Sequence, residues 1–308
     1  MPAGWTILGA PLDSSGSGRG EERAPDALRV AGIAAAVGAP DLGDATSLLR
    51  PATRDAASGV IAVEALRKAS SALADAVAGV LRSGRRPLVL GGDCALLPGA
   101  LAGCRSVGLA PGLWMVDGHP DMLDGTSSPT GEAADMGLAI ALGAGSTGRA
   151  ELVDEPPLLA AERTVVLGLR PPGMYPDNDA ELAALPDAVL WRDTHAIADR
   201  GPRASGVEAA GALVGEAGTA WLHIDLDVLD EAVMGAVTYP QAKGLTWQEL
   251  RELLGPLACS PGLVGISVSD LVPDRDPGGL NARRTVELLA ELCASEAAPA
   301  RPRNLPFP

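Results

Sequence analysis

Two short stretches of this chain combine residue types and spacing that could do chemistry. Asp117-Gly118-His119-Pro120-Asp121 sets two carboxylates and an imidazole at alternate positions. Asp225-Leu226-Asp227 repeats the alternation with two more carboxylates. In extended backbone, residues two apart project to the same side. Each stretch therefore offers ligand atoms that converge. Crowded carboxylates repel and raise one another's pKa, and a divalent cation removes that repulsion. Mostly oxygen donors with a little imidazole suit Mn²⁺ or Mg²⁺ better than Zn²⁺. Two such ions ~3.5–4 Å apart can activate a shared water and aim it at an electrophilic carbon. The opposing reading is that these acids only cap strand ends and turns.

The elements around them must hold that geometry. Nearly continuous apolar runs predict strands at Thr6–Gly9, Pro87–Leu90, Leu113–Val116, Thr164–Leu167, Ala188–Trp191, Trp221–Ile224 and Leu263–Val268. Such runs belong to strands covered on both faces. Helical patterns lie between them, at Pro25–Ala35, Gly59–Arg82, Glu132–Leu142, Val207–Glu216, Thr246–Leu254 and Leu280–Cys293. Thr246 and Glu249 form a capping-box pair at one start. Strand–helix alternation from end to end predicts one three-layer αβα sandwich on a mostly parallel sheet of about eight strands. We read residues 1–296 as a single domain and 297–308 as a tail. In such folds the site lies beyond the carboxyl ends of the strands. Cys94, Asp117, Asp225 and Asp270 all follow predicted strands.

Composition narrows the partners. The 308 residues carry a net charge of −15 with a pI near 4.6. That argues against nucleic acid or an anionic membrane, and is compatible with a small cationic substrate or divalent metals. No apolar run reaches the about 20 residues needed to span a bilayer. The opening Met-Pro-Ala-Gly-Trp lacks a secretory pattern. Four widely spaced cysteines without a CxxC pair read as free thiols in a reducing, cytoplasmic setting.

The motifs, taken in order, resemble the ureohydrolase family, which includes arginase, agmatinase and guanidino-acid hydrolases. Gly9-Ala10-Pro11 and Ala24-Pro25-Asp26-Ala27-Leu28-Arg29 resemble its opening segments, and Asp41-Leu42-Gly43-Asp44 its "DxGD". Gly91-Gly92-Asp93-Cys94 resembles "GGDH", Asp117 to Asp121 "DAHxD", and Ser128-Pro129-Thr130-Gly131 "SPSG". Asp225 to Asp230 resembles "DxDxxD". Asp270-Leu271-Val272-Pro273 and Asp276 to Ala282 resemble the two closing motifs. The resemblance covers about residues 6 to 294. It implies an arginase-like α/β fold, two Mn²⁺ per subunit, and a homo-oligomer, a trimer or hexamer. It implies that Asp117 and Asp225 bridge the ions, that His119 and Asp227 complete one shell, and that Asp121 and Cys94 complete the other. The implied reaction is hydrolysis of a guanidino C–N bond in arginine or an arginine-like compound. A urea and an amine such as ornithine leave.

Several positions depart from the family. Cys94 replaces a histidine; it is either a soft ligand, weakening Mn²⁺ there, or a small buried filler. The segment Gly131–Gly137 lacks the family's proton-shuttling histidine. Glu132 or Asp135 could take that role, or could sit in a helix first turn where the dipole favours an acid. Asp270 replaces a glutamate that pairs with the guanidinium, or else caps the turn at Pro273. His223 supports the metal shell or packs. Leu123, and Pro171-Pro172-Gly173 after Arg170, replace groups that read the amino-acid end of arginine. These departures raise a modified substrate such as Nω-hydroxy-arginine. The rival readings are an inactive binding or regulatory relative and a metal-dependent amide deacetylase.

Overall fold

The structure, a computed structural model, describes residues 4–50, 52–145, 157–213 and 218–295. The expected tail and the end of the helix expected at Val207–Glu216 lie outside them. Eight strands form the sheet: β1 Trp5–Ala10, β2 Asp41–Asp44, β3 Arg86–Gly91, β4 Gly112–Val116, β5 Thr164–Leu169, β6 Leu190–Asp193, β7 Ala220–Asp225 and β8 Leu263–Ser269. All pairings are parallel, in the order β2-β1-β3-β8-β7-β4-β5-β6. Seven match the apolar runs. The eighth, β2, has four residues, two of them Asp, and alternates half-buried with exposed at the sheet edge. No apolar signal marks it. It is held instead by Arg29, whose guanidinium bonds Asp41 at 2.9 Å and Asp44 at 2.7 Å.

Strand side chains alternate between two cores. Leu88, Trp114, Val116, Leu222 and Ile224 face one, while Val89, Leu113, Met115 and Trp221 face the other. Helices α1 Ala24–Val30 and α2 Ile33–Val37 cover the first face. Helices α3 Val63–Arg82, α4 Leu97–Arg105 and α5 Gly137–Leu142 cover the second. A short α6, Pro176–Ala184, follows β5, and α7 Thr194–Arg200, α8 Pro202–Leu213, α9 Trp247–Ala258 and α10 Leu280–Ala294 return to the first face.

Five helices differ from the sequence reading: the one expected from Gly59 starts at Val63 and the one expected from Val207 starts at Pro202, and three differ more in form. The expected Pro25–Ala35 helix is two, broken where Gly32 takes φ 92°. The expected Glu132–Leu142 helix begins as a 3-10 turn, Ala133–Met136, before α5. The helix expected to end at Leu254 runs on to Ala258, through Pro256, with the Thr246–Glu249 capping box formed. The segments α4, α6 and α7 have only 9, 9 and 7 residues, too few turns for a helical period to stand out in the sequence.

Candidate metal centre

Neighbouring strands β3, β8, β7 and β4 end at one edge of the sheet, and each delivers part of a buried cluster. The chain leaves β3 through Gly91-Gly92. A Cβ on Gly92 would stand 1.8 Å from the Leu12 carbonyl, so only glycine allows this approach. Asp93 then accepts the N–H groups of Ser14 at 2.5 Å and Ala95 at 3.2 Å, fixing the turn. That turn presents Cys94 to the cluster.

From β4, Asp117 accepts the His119 N–H at 2.7 Å. His119 Nδ1 lies 2.7 Å from Asp227 Oδ2 and 3.9 Å from Asp117 Oδ1. From β7, Asp225 accepts the Asp227 N–H at 2.7 Å. Its Oδ2 receives the Cys94 thiol at 2.7 Å and the Ser269 hydroxyl at 3.0 Å. From β8, Asp270 accepts the Thr238 N–H at 3.0 Å, and the Thr238 hydroxyl also donates to it. Asp121 and Asp270 both have left-handed backbone, φ 52° and 65°. That conformation is uncommon for a side chain and marks positions held by their surroundings.

Among the described residues, three sets of ligand atoms approach within 4.8 Å of one another: Asp117–His119–Asp227, Asp225–Asp227–Asp270 and Cys94–Asp117–His223. The first brings together residues expected at one metal, with Asp225 hydrogen-bonded beside it. The third brings to Cys94 a residue, His223, beyond the Asp121 expected beside it. The alternation that starts at Asp117 stops at Asp121, where positive φ turns the backbone away from extended geometry. His223, two residues before Asp225 on β7, joins Cys94 as an additional neighbour, while Asp121 stays close enough for its charge to act on the Cys94 thiol. The His223 Nε2 is 3.2 Å from Cys94 Sγ, and its Nδ1 is 2.8 Å from Ser267 Oγ.

The electrostatics are those of a site short of positive charge. Burial, then the neighbouring acids, pushes Asp117 and Asp121 well above the usual carboxylate range. Burial and then Asp225 do the same to Asp270. Burial and then Asp227 raise Asp225 to about 7. Asp227 goes the other way: burial would raise it, but His119 and Arg170 hold it below its ordinary value. His119 would be lowered by burial, yet Asp227 raises it to about 9. Asp121 Oδ2 is buried with no hydrogen-bond partner. Like charges this dehydrated are tolerated only when neutralised, so the residues present fit divalent cations.

The cluster forms the floor of a cavity of about 350 Å³. Asp135 lines it, accepting the Ser128 hydroxyl at 2.7 Å and the Thr130 hydroxyl at 3.1 Å. Its other oxygen is buried without a partner, and burial lifts it to about 6. Glu132 also lines the cavity, but it is ion-paired with Arg19 at 2.8 Å. Both acids stand at a 3-10 turn rather than in an α-helix first turn.

Other lining residues escaped the sequence reading. Beyond Pro171-Pro172-Gly173, which stand in place of the family's polar groups, Asp177 and Glu181 of α6 line the cavity. Glu181 is buried, accepts the Met122 N–H at 3.0 Å and is raised by burial to about 7. Arg19, whose guanidinium also bonds Glu21 at 3.0 Å and lies 5.6 Å from the Tyr239 ring centre, closes one wall. Beneath the floor, buried Arg170 donates to the carbonyls of Asp227 at 2.6 Å, Leu229 at 3.1 Å and Val228 at 3.3 Å. An arginine ending the apolar run Thr164–Leu169 was the one sequence signal for it.

Comparison with known proteins agrees with this architecture. The chain is 27% identical to an arginase of Brevibacillus brevis over 297 residues, covering 95% of this chain and 98% of that protein. It is 27% identical to a formimidoylglutamase of Nocardia farcinica (strain IFM 10152) over 240 residues, 76% of this chain and 70% of that one. The native structure of Bacillus caldovelox arginase at pH 5.6 superposes with a TM-score of 0.86 at 26% identity, covering 96% of this chain and 100% of that one. The family model described as the arginase family matches residues 3–297. A match of that extent, over the fold and every motif that supplies the strand-end acids, makes this chain a member of the arginase family of hydrolases.

Proposed function

We propose that the protein hydrolyses a guanidino C–N bond in arginine or an arginine-like compound, releasing urea or a substituted urea and an amine such as ornithine. The observation that carries this reading is the Asp117–His119–Asp227 group, with Asp225 bonded to it, on the floor of an acidic cavity. Asp117, His119, Asp225 and Asp227 would hold one Mn²⁺, and a second ion would sit on the Cys94 side, within reach of Asp121. Bound there, the ions supply Lewis acidity that lowers the pKa of water and offsets the carboxylate charge.

The chain's own groups do the rest. The acidic walls favour a cationic guanidinium over neutral competitors. Asp270, held by Thr238, faces the same cavity and orients that guanidinium. Asp177 and Glu181 stand where a substrate ammonium would be received. As water adds to the guanidinium carbon and the C–N bond breaks, a proton must reach the leaving amine. Asp135 fits that task, with one unpartnered oxygen and a pKa raised by burial to about 6, close to neutral. Glu132 fits it less well, being neutralised by Arg19. We place residues 1–296 in one catalytic domain, acting in a reducing cytoplasm that keeps the four thiols free, and as a homo-oligomer by family likeness.

The test is an assay of purified, Mn²⁺-loaded protein on arginine, Nω-hydroxy-arginine, agmatine, guanidinobutyrate and formimidoylglutamate, reading urea or its counterpart. Turnover of a guanidino substrate is expected. Turnover of arginine at ordinary rates sinks the modified-substrate version. No turnover of any guanidine, with less than one tightly bound ion per subunit, overturns the enzyme reading in favour of a binding protein.

A further inference from the structure

We propose that Cys94 and His223, together with Asp117 and Asp225, form a sulfur- and nitrogen-containing metal position. It prefers a zinc-like ion (Zn²⁺, Fe²⁺ or Co²⁺) to the Mn²⁺ suited to the adjoining oxygen-rich position. The inference rests on the metal-dependent reading of this cavity and adds a ligand to it.

The geometry begins with His223. It lies on β7 with no exposed surface. Its Nδ1 is 2.8 Å from Ser267 Oγ, which also takes the Trp221 indole N–H at 2.9 Å. Such an outer hydrogen bond fixes the ring and leaves the other nitrogen to ligate. That nitrogen, Nε2, is 3.2 Å from Cys94 Sγ. Sγ is in turn 3.8 Å from Asp117 Oδ2 and 2.7 Å from Asp225 Oδ2. Donors around a tetrahedral ion bound at the usual zinc distances stand about 3.3–3.8 Å from one another. Two of these separations are already close to that range. The third is short because the thiol proton is shared with Asp225. An ion bound there would displace that proton.

A space-filling role accounts poorly for this arrangement. A buried imidazole among carboxylates costs desolvation that an apolar residue of like size would not. A second observation points to a cation independently. Asp121 Oδ2 lines the same cavity, buried and without a hydrogen-bond partner. The two positions share Asp117 and Asp225 but differ in their remaining donors. His119 and Asp227 complete an oxygen-dominated set, whereas Cys94 and His223 complete one with thiolate and imidazole. Soft thiolate selects zinc-like ions, and hard carboxylate tolerates Mn²⁺.

The experiment loads the full-length chain with Zn²⁺ or Co²⁺ and reads the metal's own spectrum. Zn-edge X-ray absorption of the wild type is expected to show one sulfur neighbour at about 2.3 Å with imidazole scattering. Co²⁺ is expected to give a near-ultraviolet thiolate charge-transfer band that Cys94→Ser abolishes. His223→Asn is expected to weaken Co²⁺ at this position at least tenfold and leave the other ion bound. Absence of sulfur around Zn²⁺ in the wild type overturns the proposal without needing any variant to fold. So does a His223→Asn protein with wild-type affinity and spectrum. Guanidine hydrolysis assayed alongside separates the two readings. Mn²⁺-supported turnover without sulfur ligation removes this metal position and keeps the enzyme, whereas sulfur-bound zinc without turnover of any guanidine keeps the position and removes the enzyme.

Discussion

Stripping divalent ions from this protein should make its stability fall as pH rises. Asp117, Asp121, Asp225 and Asp270 all hold their protons more tightly when folded than when unfolded. Between the unfolded and folded values the native state binds more protons, so the slope of stability against pH is negative. Asp225, raised from 3.8 to about 7, sets a scale. Between about pH 5.5 and pH 8.5 it loses roughly 1.5 units of differential protonation, or about 2 kcal/mol. The other three acids add to this. His119 acts in the same direction: its pairing with Asp227 stabilises fully below 6.5 and is lost as pH rises through about 9. Asp227, with its lowered value, loses its contribution only in acid below this window. A loss of 2 kcal/mol moves the melting temperature of a chain this size by roughly 4 °C. Differential scanning calorimetry in chelator should therefore show Tm lower at about pH 8.5 than at about pH 5.5 by at least that amount. Excess Mn²⁺ should raise Tm far more at the higher pH, where the ligands are ionised. A chelated protein equally stable or more stable at the higher pH would refute the reasoning, because the acids would then not be electrostatically frustrated.

Three substitutions probe the parts separately. Asp121→Asn removes an orphaned buried oxygen's charge; it should raise the Tm of chelated protein at about pH 8.5 by a few degrees while weakening the second ion at least tenfold, as read by calorimetry and metal titration. Asp135→Asn should lower kcat about 10²–10³-fold with little change in KM if its free oxygen carries the proton, and a steady-state comparison across pH measures both. Arg170→Met keeps volume but leaves the carbonyls of Asp227, Val228 and Leu229 without their donor; counting only the two shorter charge-assisted bonds, to Asp227 and Leu229, at about 1.5–3 kcal/mol each makes the expected cost at least about 3–6 kcal/mol, and an unchanged urea midpoint would show that the strap is dispensable.

The motifs that resembled a family have separable physical jobs in the fold. Arg29, from the opening segment, ties Asp41 and Asp44 of β2, and a Cβ on Gly9 would stand 2.0 Å from Asp44 Oδ1. Asp276, from the closing segment, accepts the first N–H groups of α10, at Asn281 and Ala282. These residues hold elements in place. Most departures lie elsewhere, at Cys94, Leu123, Asp270 and the loop before α5, and these line one cavity.

Read alone, the chain determined most of its sheet, because six strands buried along most of their length need uninterrupted apolar runs that are local in sequence, and the exposed edge strand β6 still carries Leu190 and Trp191. It also determined which acids meet. Asp117, Asp225 and Asp270 each close or follow such a run, and parallel strands must end on one side. Tertiary structure alone decided which strands are neighbours. The order β3-β8-β7-β4 joins segments far apart in the chain, and no local pattern encodes that adjacency. From it follow the placing of His223 against Cys94, the Arg170 strap under Asp227, and the arrival of Glu181 from a helix too short to announce itself. Each is a contact across sequence distance, governed by packing and charge rather than by spacing.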